Sequence, residues 1–101
     1  MNKDGLITEA KAKFNHNLAK EALKEKYQSK LIFADQGGLW KATPEFLSFL
    51  SSPTLSETVI LDIYDNPIKV DKELLSIKAH TTYNDVMSEW HVEWSELRKN
   101  R

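Results

Sequence analysis

The sequence has no cysteine, and it has only three glycines and three prolines among its 101 residues. Without cysteine, disulfide bonds, thiolate catalysis and cysteine-built zinc sites are all excluded. The histidines, at positions 16, 80 and 91, are too scattered along the chain to build a zinc site in their place. Neither glycine nor proline occurs between residues 72 and 98, so nothing in that stretch breaks a helix.

The chain also lacks long apolar runs and a strong net charge. Its apolar runs, such as residues 59–61, are far shorter than the roughly 20 residues that a membrane-spanning helix needs. The first residues contain no apolar core of a signal peptide. The net charge of −1 provides no overall attraction to nucleic acid or to anionic lipid. We therefore expect a protein of the cytoplasm, or of a larger assembly, with no membrane partner.

What is present is typical of one small globular domain. Hydrophobic residues make up 41% of the chain and charged residues 29%, an ordinary balance for a folded protein. A chain of 101 residues has room for a single core. Residues 1–7 include Gly5 and show no periodicity, so we expect a flexible N-terminal arm there. Residues 8–101 are predicted to form a single α+β domain.

Apolar spacing and turn residues predict a helix, a hairpin and a second helix in the first half of the chain. Apolar residues recur every three to four positions from Thr8 to about Tyr27, which indicates an amphipathic helix. Residues 30–34 are rich in β-formers and end in the turn 35–38, where a glycine supplies a positive φ. Residues 39–42 are predicted to return as a short second strand. Thr43 and Pro44 supply an N-cap and a first helical residue, which predicts a short helix over about residues 44–50.

The second half is predicted to contain a hairpin followed by a long helix. Residues 57–64 have the strongest strand pattern, residues 65–68 form a turn that contains Pro67, and residues 68–70 pair back. Asp62 alternates with Leu61 and Ile63, so we expect its side chain to point away from the packed face in a structural role. The predicted fold is α+β, with a small antiparallel sheet of three to four strands in the order α-β-(β)-α-β-β-α. The N-terminal and C-terminal helices are expected to pack on one face of this sheet.

The C-terminal helix, capped by Asp71 and covering about residues 72–98, has the clearest pattern in the chain. Its apolar stripe steps by three or four residues: Leu75, Ala79, Tyr83, Val86, Trp90, Trp94 and Leu97. Such a helix is about 40 Å long, whereas a small domain is about 30 Å across. We therefore expect the distal half to overhang the core and to anchor a partner protein or a second copy as a homodimer. If the tryptophans are instead buried in the monomer, they are simply core.

The predicted contact residues on this helix are Tyr83, Met87, Trp90, Trp94 and Leu97, with Glu89 and Glu93 setting the orientation of the partner. The two glutamates belong to an acidic stripe that lies one residue away from the aromatic one: Asp85, Glu89, Glu93 and Glu96. Like charges four residues apart repel, which predicts basic residues nearby. The candidates are Lys13, Lys20 and Lys24 of the first helix. No histidine lies in register with a glutamate of the stripe, so we predict no metal site.

Catalysis finds no support in the sequence. No nucleophile has an identifiable base, and no cofactor fingerprint is present, so we expect a protein that is not an enzyme and that needs no cofactor. The alternative to protein binding is nucleic-acid binding by the lysine-rich first helix, through Lys11, Lys13, Lys20 and Lys24. The near-neutral net charge makes this the less favoured partner.

Four segments carry a resemblance to a known group of proteins: residues 31–45 (LIFADQGGLWKATPE), 60–70 (ILDIYDNPIKV), 83–87 (YNDVM) and 89–90 (EW). Together they resemble a small uncharacterised protein of T4-like tailed phages, particularly those that infect cyanobacteria. The resemblance covers about residues 31–98 and transfers no catalytic or binding residue. It implies a phage protein that acts in the bacterial cytoplasm or within a virion. Its implied role is that of a non-catalytic protein-binding module, either an assembly component or a modulator of a host or phage complex.

Overall fold

Over residues 3–53 and 56–99, which the computed structural model describes, the chain forms three helices and four strands. The helices are α1 (Lys3–Lys30), α2 (Pro44–Leu50) and α3 (Lys72–Lys99). The strands are β1 (Ile32–Asp35), β2 (Gly38–Lys41), β3 (Glu57–Leu61) and β4 (Pro67–Asp71). This order confirms the predicted α+β class, including the short second strand and the long C-terminal helix.

The starts of α2 and α3 are set by the capping residues that the sequence predicted. The Thr43 hydroxyl accepts the Phe46 N–H at 3.1 Å, and Pro44 occupies the first turn of α2. The Asp71 carboxylate accepts the Leu74 N–H at 3.1 Å. Each side chain therefore satisfies a backbone donor that the first turn of its helix leaves unpaired. From this cap α3 runs for 28 residues without a break.

α1 is longer than predicted at both ends. It begins at Lys3 instead of Thr8, so residues 3–7 of the predicted arm are helical, while residues 1 and 2 lie outside the described residues. It also continues to Lys30, three residues past Tyr27. No proline occurs in α1, and a glycine such as Gly5 costs a helix only about 1 kcal/mol, so neither boundary had a strong local signal.

The four strands form two separate antiparallel hairpins, β1-β2 and β3-β4, instead of one sheet. Phe33 pairs with Trp40 in the first hairpin, and Ile60 pairs with Ile68 in the second. The first hairpin closes through Gln36 and Gly37, both of which have positive φ, at 50° and 83°. Two such residues give the turn the twist that a tight hairpin needs. Gly37 thus supplies the positive φ that the sequence predicted for this turn.

Gln36 explains why the hairpins do not merge into one sheet. Its side-chain oxygen accepts the Asp71 N–H at 2.7 Å, and its amide nitrogen donates to the Asp71 carbonyl at 3.1 Å. The side chain therefore takes the place of a neighbouring strand at the end of β4. Because these backbone groups are already satisfied, β4 has no free pair there for another strand.

Asp62 joins the two hairpins at the turn between β3 and β4, which is the end of the second hairpin opposite the one that Gln36 holds. Its carboxylate accepts the N–H groups of Asn66 at 3.0 Å, Tyr64 at 2.9 Å and Leu39 at 3.3 Å. The hydrogen bond from Asn66, followed by those from Leu39 and Tyr64, lowers the pKa of Asp62. The Leu39 carbonyl also accepts the Ile63 N–H at 3.0 Å. These contacts give Asp62 a structural role.

The predicted direction of Asp62 is wrong, however. Its side chain is buried, at 8% exposure, while Leu61 and Ile63 are 60% and 39% exposed. The residues of β3 alternate in the same sense, because Thr58 and Ile60 are half-buried and Val59 is exposed. A carboxylate can occupy the inner face here because backbone donors converge on it.

The core lies where the hairpins, α2, the end of α1 and the N-terminal half of α3 meet. Its buried members are Tyr27, Leu31, Phe33, Trp40, Ala42, Leu50, Val70, Leu75, Ala79 and Val86. Trp40 is 1% exposed, stacks on Phe46 with 5.8 Å between ring centroids, and donates its indole N–H to the Asp35 carbonyl at 2.8 Å. Trp40 thus ties the first hairpin to α2.

The two long helices make the molecule elongated, at 66 × 24 × 21 Å. Its radius of gyration is 19.3 Å, against about 13 Å for a compact domain of this length. α1 and α3 run antiparallel, because Lys30 meets Glu89 while Lys26 meets Glu93. The first half of α1 therefore extends past the C-terminal end of α3. In the described part of the chain, none of the helices has the length and apolar content to cross a bilayer.

Gly38 is a steric requirement of the Trp40 position, and Gly38→Ala is expected to be destabilising. An added Cβ lies 2.6 Å from Trp40 Cζ2 and 2.9 Å from Cε2, so we expect the free energy of unfolding to fall by about 1–3 kcal/mol. Gly37→Asn is the control, since nothing lies within 4 Å of its Cβ and asparagine tolerates positive φ. Urea denaturation measures both, and an equal effect of the two variants contradicts the steric explanation.

Asp62→Asn is expected to reduce the acid sensitivity of the fold. Because the pKa of Asp62 is lower in the folded state, its stabilisation is complete above the unfolded pKa of about 3.9 and is lost as the pH falls through the folded value. Thermal unfolding between neutral and strongly acid pH should therefore show a steeper loss below this value in the wild type than in the variant. Parallel pH curves for the two proteins contradict this role.

Candidate functional site

The candidate site is built on the junction between α1 and α3. Tyr27 of α1 is 2% exposed and stacks on Trp90 of α3, with 5.9 Å between ring centroids and 8° between ring planes. Its hydroxyl donates to Glu93 at 2.5 Å, and the same carboxylate oxygen lies 2.5 Å from Lys26 Nζ. One carboxylate therefore fixes both an aromatic side chain and a lysine of the opposite helix.

The titratable groups of this junction shift one another's pKa values. The Lys26 hydrogen bond, and then that of Tyr27, lowers the pKa of Glu93. The Glu93 carboxylate in turn raises the pKa of Tyr27, to which burial also contributes, and raises the pKa of Lys26. All three shifts favour the states found at neutral pH, in which the carboxylate and the ammonium are charged and the phenol is neutral.

Glu89 and Glu93 are thus engaged inside the molecule, and their partners differ from those predicted. The sequence pointed to Lys13, Lys20 and Lys24 as the basic neighbours. The structure instead pairs Glu93 with Lys26 and Glu89 with Lys30, the latter at 3.3 Å. Lys26 and Lys30 are four residues apart, so they share a flank of α1.

On the other flank an open groove of about 410 Å³ separates the helices. We call it the helix groove. It is lined by Lys20, Glu21 and Lys24 of α1 and by Met87, Trp90, His91 and Trp94 of α3. Met87 and the two tryptophans are half-buried, whereas the three α1 residues are exposed. The groove therefore has an apolar, largely aromatic floor under a charged rim.

Trp94 differs from Trp90 in its ring contacts, which lie within α3. His91 stacks on it with 5.9 Å between ring centroids, and the Arg98 guanidinium lies 5.4 Å from its ring centre. Trp90, in contrast, is fixed by Tyr27 of α1. The floor of the groove thus contains one indole that stacks on an α1 ring and one whose ring contacts lie on α3.

The basic residues of the groove are unpaired. Among the described residues, Lys20, Lys24 and Arg98 form no ion pair with a carboxylate. Glu21 is the acidic residue of the lining. The rim is therefore positive, in contrast to the opposite flank. There a depression of about 310 Å³ is lined by Tyr27, Lys30, Glu89, Val92 and Glu93. Its glutamates are paired, Glu89 with Lys30 and Glu93 with Lys26.

The structure brings together two sets of residues that the sequence assigned to rival functions. Met87, Trp90 and Trp94 of the predicted protein-binding set and Lys20 and Lys24 of the predicted nucleic-acid set line the same groove. The other predicted residues lie elsewhere. Tyr83 packs against the core, Leu97 is half-buried outside the groove lining, and Lys13 is exposed on α1. The side chain of Lys11 lies outside the described part of the structure.

Sequence reasoning missed three residues of this site: Glu21, His91 and Arg98. His91 and Arg98 stand three residues before and four residues after Trp94, which places all three on one face of a helix. That spacing was a usable signal. Glu21 had none, because its place depends on how α1 packs against α3.

Two arrangements of polar side chains in the described residues bear on catalysis. No group of three or more His, Asp or Glu side chains among them is arranged to hold a metal ion. The Ser76 hydroxyl lies 3.3 Å from His80 Nδ1, but that nitrogen is also 2.8 Å from the Ser76 carbonyl. A carbonyl accepts and does not donate, so this nitrogen carries the proton and cannot serve Ser76 as a base.

Comparison of the chain with protein-family models, with curated proteins and with solved structures gives no match in any of the three.

Glu93→Ala is expected to weaken the helix junction more than Glu89→Ala does. The first substitution removes the acceptor of both Lys26 and the Tyr27 hydroxyl, whereas the second removes one exposed ion pair, worth about 0.2–1 kcal/mol. Both are the same change in the same helix, four residues apart, so helix propensity cancels. Thermal unfolding followed by circular dichroism tests this, and an equal shift of both midpoints contradicts it.

Proposed function

We propose that this protein is a non-catalytic protein-binding module, and that the helix groove takes an acidic, partly apolar segment of a partner protein. One observation carries the proposal: a half-buried aromatic floor lies beneath basic side chains that no described carboxylate neutralises. Such a surface matches a partner that brings apolar side chains to the floor and carboxylates to the rim.

The apolar part of the partner is expected to provide most of the affinity. An indole offers about 150–250 Å² of surface, and tryptophans that remain partly open in the free protein are frequent anchors of interfaces. Trp90 and Trp94 are both half-buried, whereas the third tryptophan, Trp40, is 1% exposed. Flexible Met87 lies beside them and adapts to the shape of a partner.

The charge of the rim favours a different protein over a second copy of this chain. In a two-fold pairing of groove with groove, the basic rim of one copy, which consists of Lys20 and Lys24 with Arg98 beside Trp94, faces the basic rim of the other. Juxtaposed like charges oppose such a complex. An acidic segment has the opposite effect, because its carboxylates reach unpaired ammonium and guanidinium groups.

The sequence resemblance to small proteins of T4-like tailed phages extends this proposal to a setting. There the protein acts in the bacterial cytoplasm or within a virion, as an assembly component or as a modulator of a host or phage complex. Both roles require the protein to bind a partner and require no catalysis.

Single-stranded nucleic acid is the second candidate for the groove. Lys13, Lys20 and Lys24 are spaced seven and four residues apart, so they follow one face of α1 beside Trp94. Proteins that bind single strands combine such a basic track with aromatic side chains on which bases stack. The near-neutral net charge of the chain argues against this candidate.

Trp94→Ala is expected to weaken groove binding strongly while leaving the fold intact, because the ring contacts of Trp94 with His91 and Arg98 lie on α3 and the stack of Tyr27 on Trp90 stays in place. The probe is a synthetic amphipathic helix with leucines on one face and glutamates on the other. Tryptophan fluorescence should report its binding, with an affinity at least about tenfold lower for the variant. Ile77→Ala, at a site on the same helix that is 65% exposed, is the matched control and should bind as the wild type does.

Charge reversal tests the rim separately. Lys20→Glu combined with Lys24→Glu should lower the affinity for the acidic peptide and raise the affinity for a peptide with lysines in place of its glutamates. Lys78→Glu, which changes an exposed residue elsewhere on α3, should alter neither affinity. Failure of the acidic peptide to bind, or equal affinity of the Trp94→Ala variant, overturns the proposal. If an oligonucleotide binds instead, with an affinity that falls steeply with salt, the second candidate replaces it.

A further inference from the structure

β3 has an unpaired edge, and the pairing of β4 shows which residues form it. Glu57 is opposite Asp71, Val59 opposite Lys69, and Leu61 opposite Pro67. Asp71 gives both its backbone groups to Gln36, and Pro67 has no N–H. These three pairs are therefore the ones that lack ladder bonds.

The bonds at either end of the hairpin agree with this alternation. The Lys72 N–H donates to the Ser56 carbonyl at 2.7 Å, and the Asp62 N–H donates to the Asn66 carbonyl at 3.0 Å. The even-numbered residues of the strand thus face β4. The N–H and C=O groups of Glu57, Val59 and Leu61 point away from it, and none of them has a partner among the described residues.

The side chains of the same residues form an exposed, nearly uncharged face. Val59 and Leu61 are 58% and 60% exposed. Glu57 is neutralised by Lys69 across the hairpin, with 3.6 Å between the carboxylate and the ammonium. Natural sheet edges are usually protected by a charged residue, a proline or a bulge. The centre of this edge has none of these.

We propose that a second copy of this chain docks along β3, antiparallel and centred on Val59, to give a continuous four-stranded sheet across a two-fold axis. In that register Val59 meets Val59 of the other copy, and Glu57 meets Leu61. Each outward-facing residue is then opposite another outward-facing residue, so the donors and acceptors of the two edges match.

The self-complementary register is what favours a second copy over an unrelated strand. No pair of like charges falls opposite in it, because Glu57 lies against Leu61 and keeps its own Lys69. Val59 and Leu61 of both copies also come together on one face. This edge of β3 is separate from the helix groove. β3 belongs to the hairpin that leads into the N-terminal end of α3, whereas the groove lies along the C-terminal half of α3.

Val59→Lys is the variant that tests the pairing. It places two lysines opposite each other at the two-fold axis. Val59 is 58% exposed, so the fold should be retained, but the new lysine also faces Lys69 within the hairpin and should lower the unfolding midpoint of the monomer slightly. Ile77→Lys is the control, because it makes the same kind of change at a residue that is 65% exposed on α3. Light scattering from micromolar to millimolar concentration should show a monomer–dimer equilibrium for the wild type and the control, and a monomer for Val59→Lys.

Amide hydrogen exchange identifies the edge itself. The Val59 and Leu61 amides should become protected as the wild-type concentration rises, whereas those of Thr58 and Ile60 are protected at every concentration by β4. A wild type that stays monomeric, a dimer that survives Val59→Lys, an assembly larger than a dimer, or Val59 exchange that ignores concentration each overturns the proposal. None of these results affects peptide binding by the helix groove, so the two proposals fail separately.

Discussion

The packing of Tyr27 against Trp90 fixes the two long helices relative to each other, and the arm they form depends on it. A helix as polar as α1 is not stable in water on propensity alone and needs an apolar face to pack on. Among the described side chains of α1, Tyr27 is buried and Leu23 is half-buried against the core, and the Tyr27 hydroxyl adds a hydrogen bond to Glu93. With this contact in place, the neighbouring lysines fall on opposite flanks of α1. Lys26 and Lys30 neutralise the acidic flank of α3, which leaves Lys20 and Lys24 over the aromatic flank.

The helix groove is a consequence of this division of charge. The acidic stripe of α3 is used to hold the molecule together, and the basic residues left over define what the groove attracts. Trp90 belongs to both functions, since one part of it packs on Tyr27 and another part lines the groove. The ring contacts of Trp94 lie on α3. In the proposed function, stability and recognition therefore share α3 and Trp90, whereas Trp94 serves mainly recognition.

In the hairpins, side chains bond backbone groups that a neighbouring strand would otherwise bond. Gln36 occupies the end of β4, and Asp62 gathers the turn of the second hairpin together with the start of β2. Because side chains make these joints, no further strand is recruited. In the described part of the chain, the outer edge of β3 has no pairing strand. The face of β3 that is buried is the one that carries Asp62, because the carboxylate of Asp62 accepts the backbone N–H groups that converge there. The same joints thus hold the hairpins together while each hairpin remains a two-stranded sheet.

Local sequence determined the α+β class, the order of elements, the caps at Thr43 and Asp71, the positive φ at Gly37 and the unbroken α3. Each of these depends on residues within a few positions of one another, where backbone sterics and helical periodicity act directly. Tertiary structure alone decided that the strands form two hairpins, that Asp62 points inward, and that Glu89 and Glu93 bind Lys26 and Lys30. Periodicity shows that a strand or a helix has two faces, but which face is buried depends on groups that the fold brings from elsewhere in the chain.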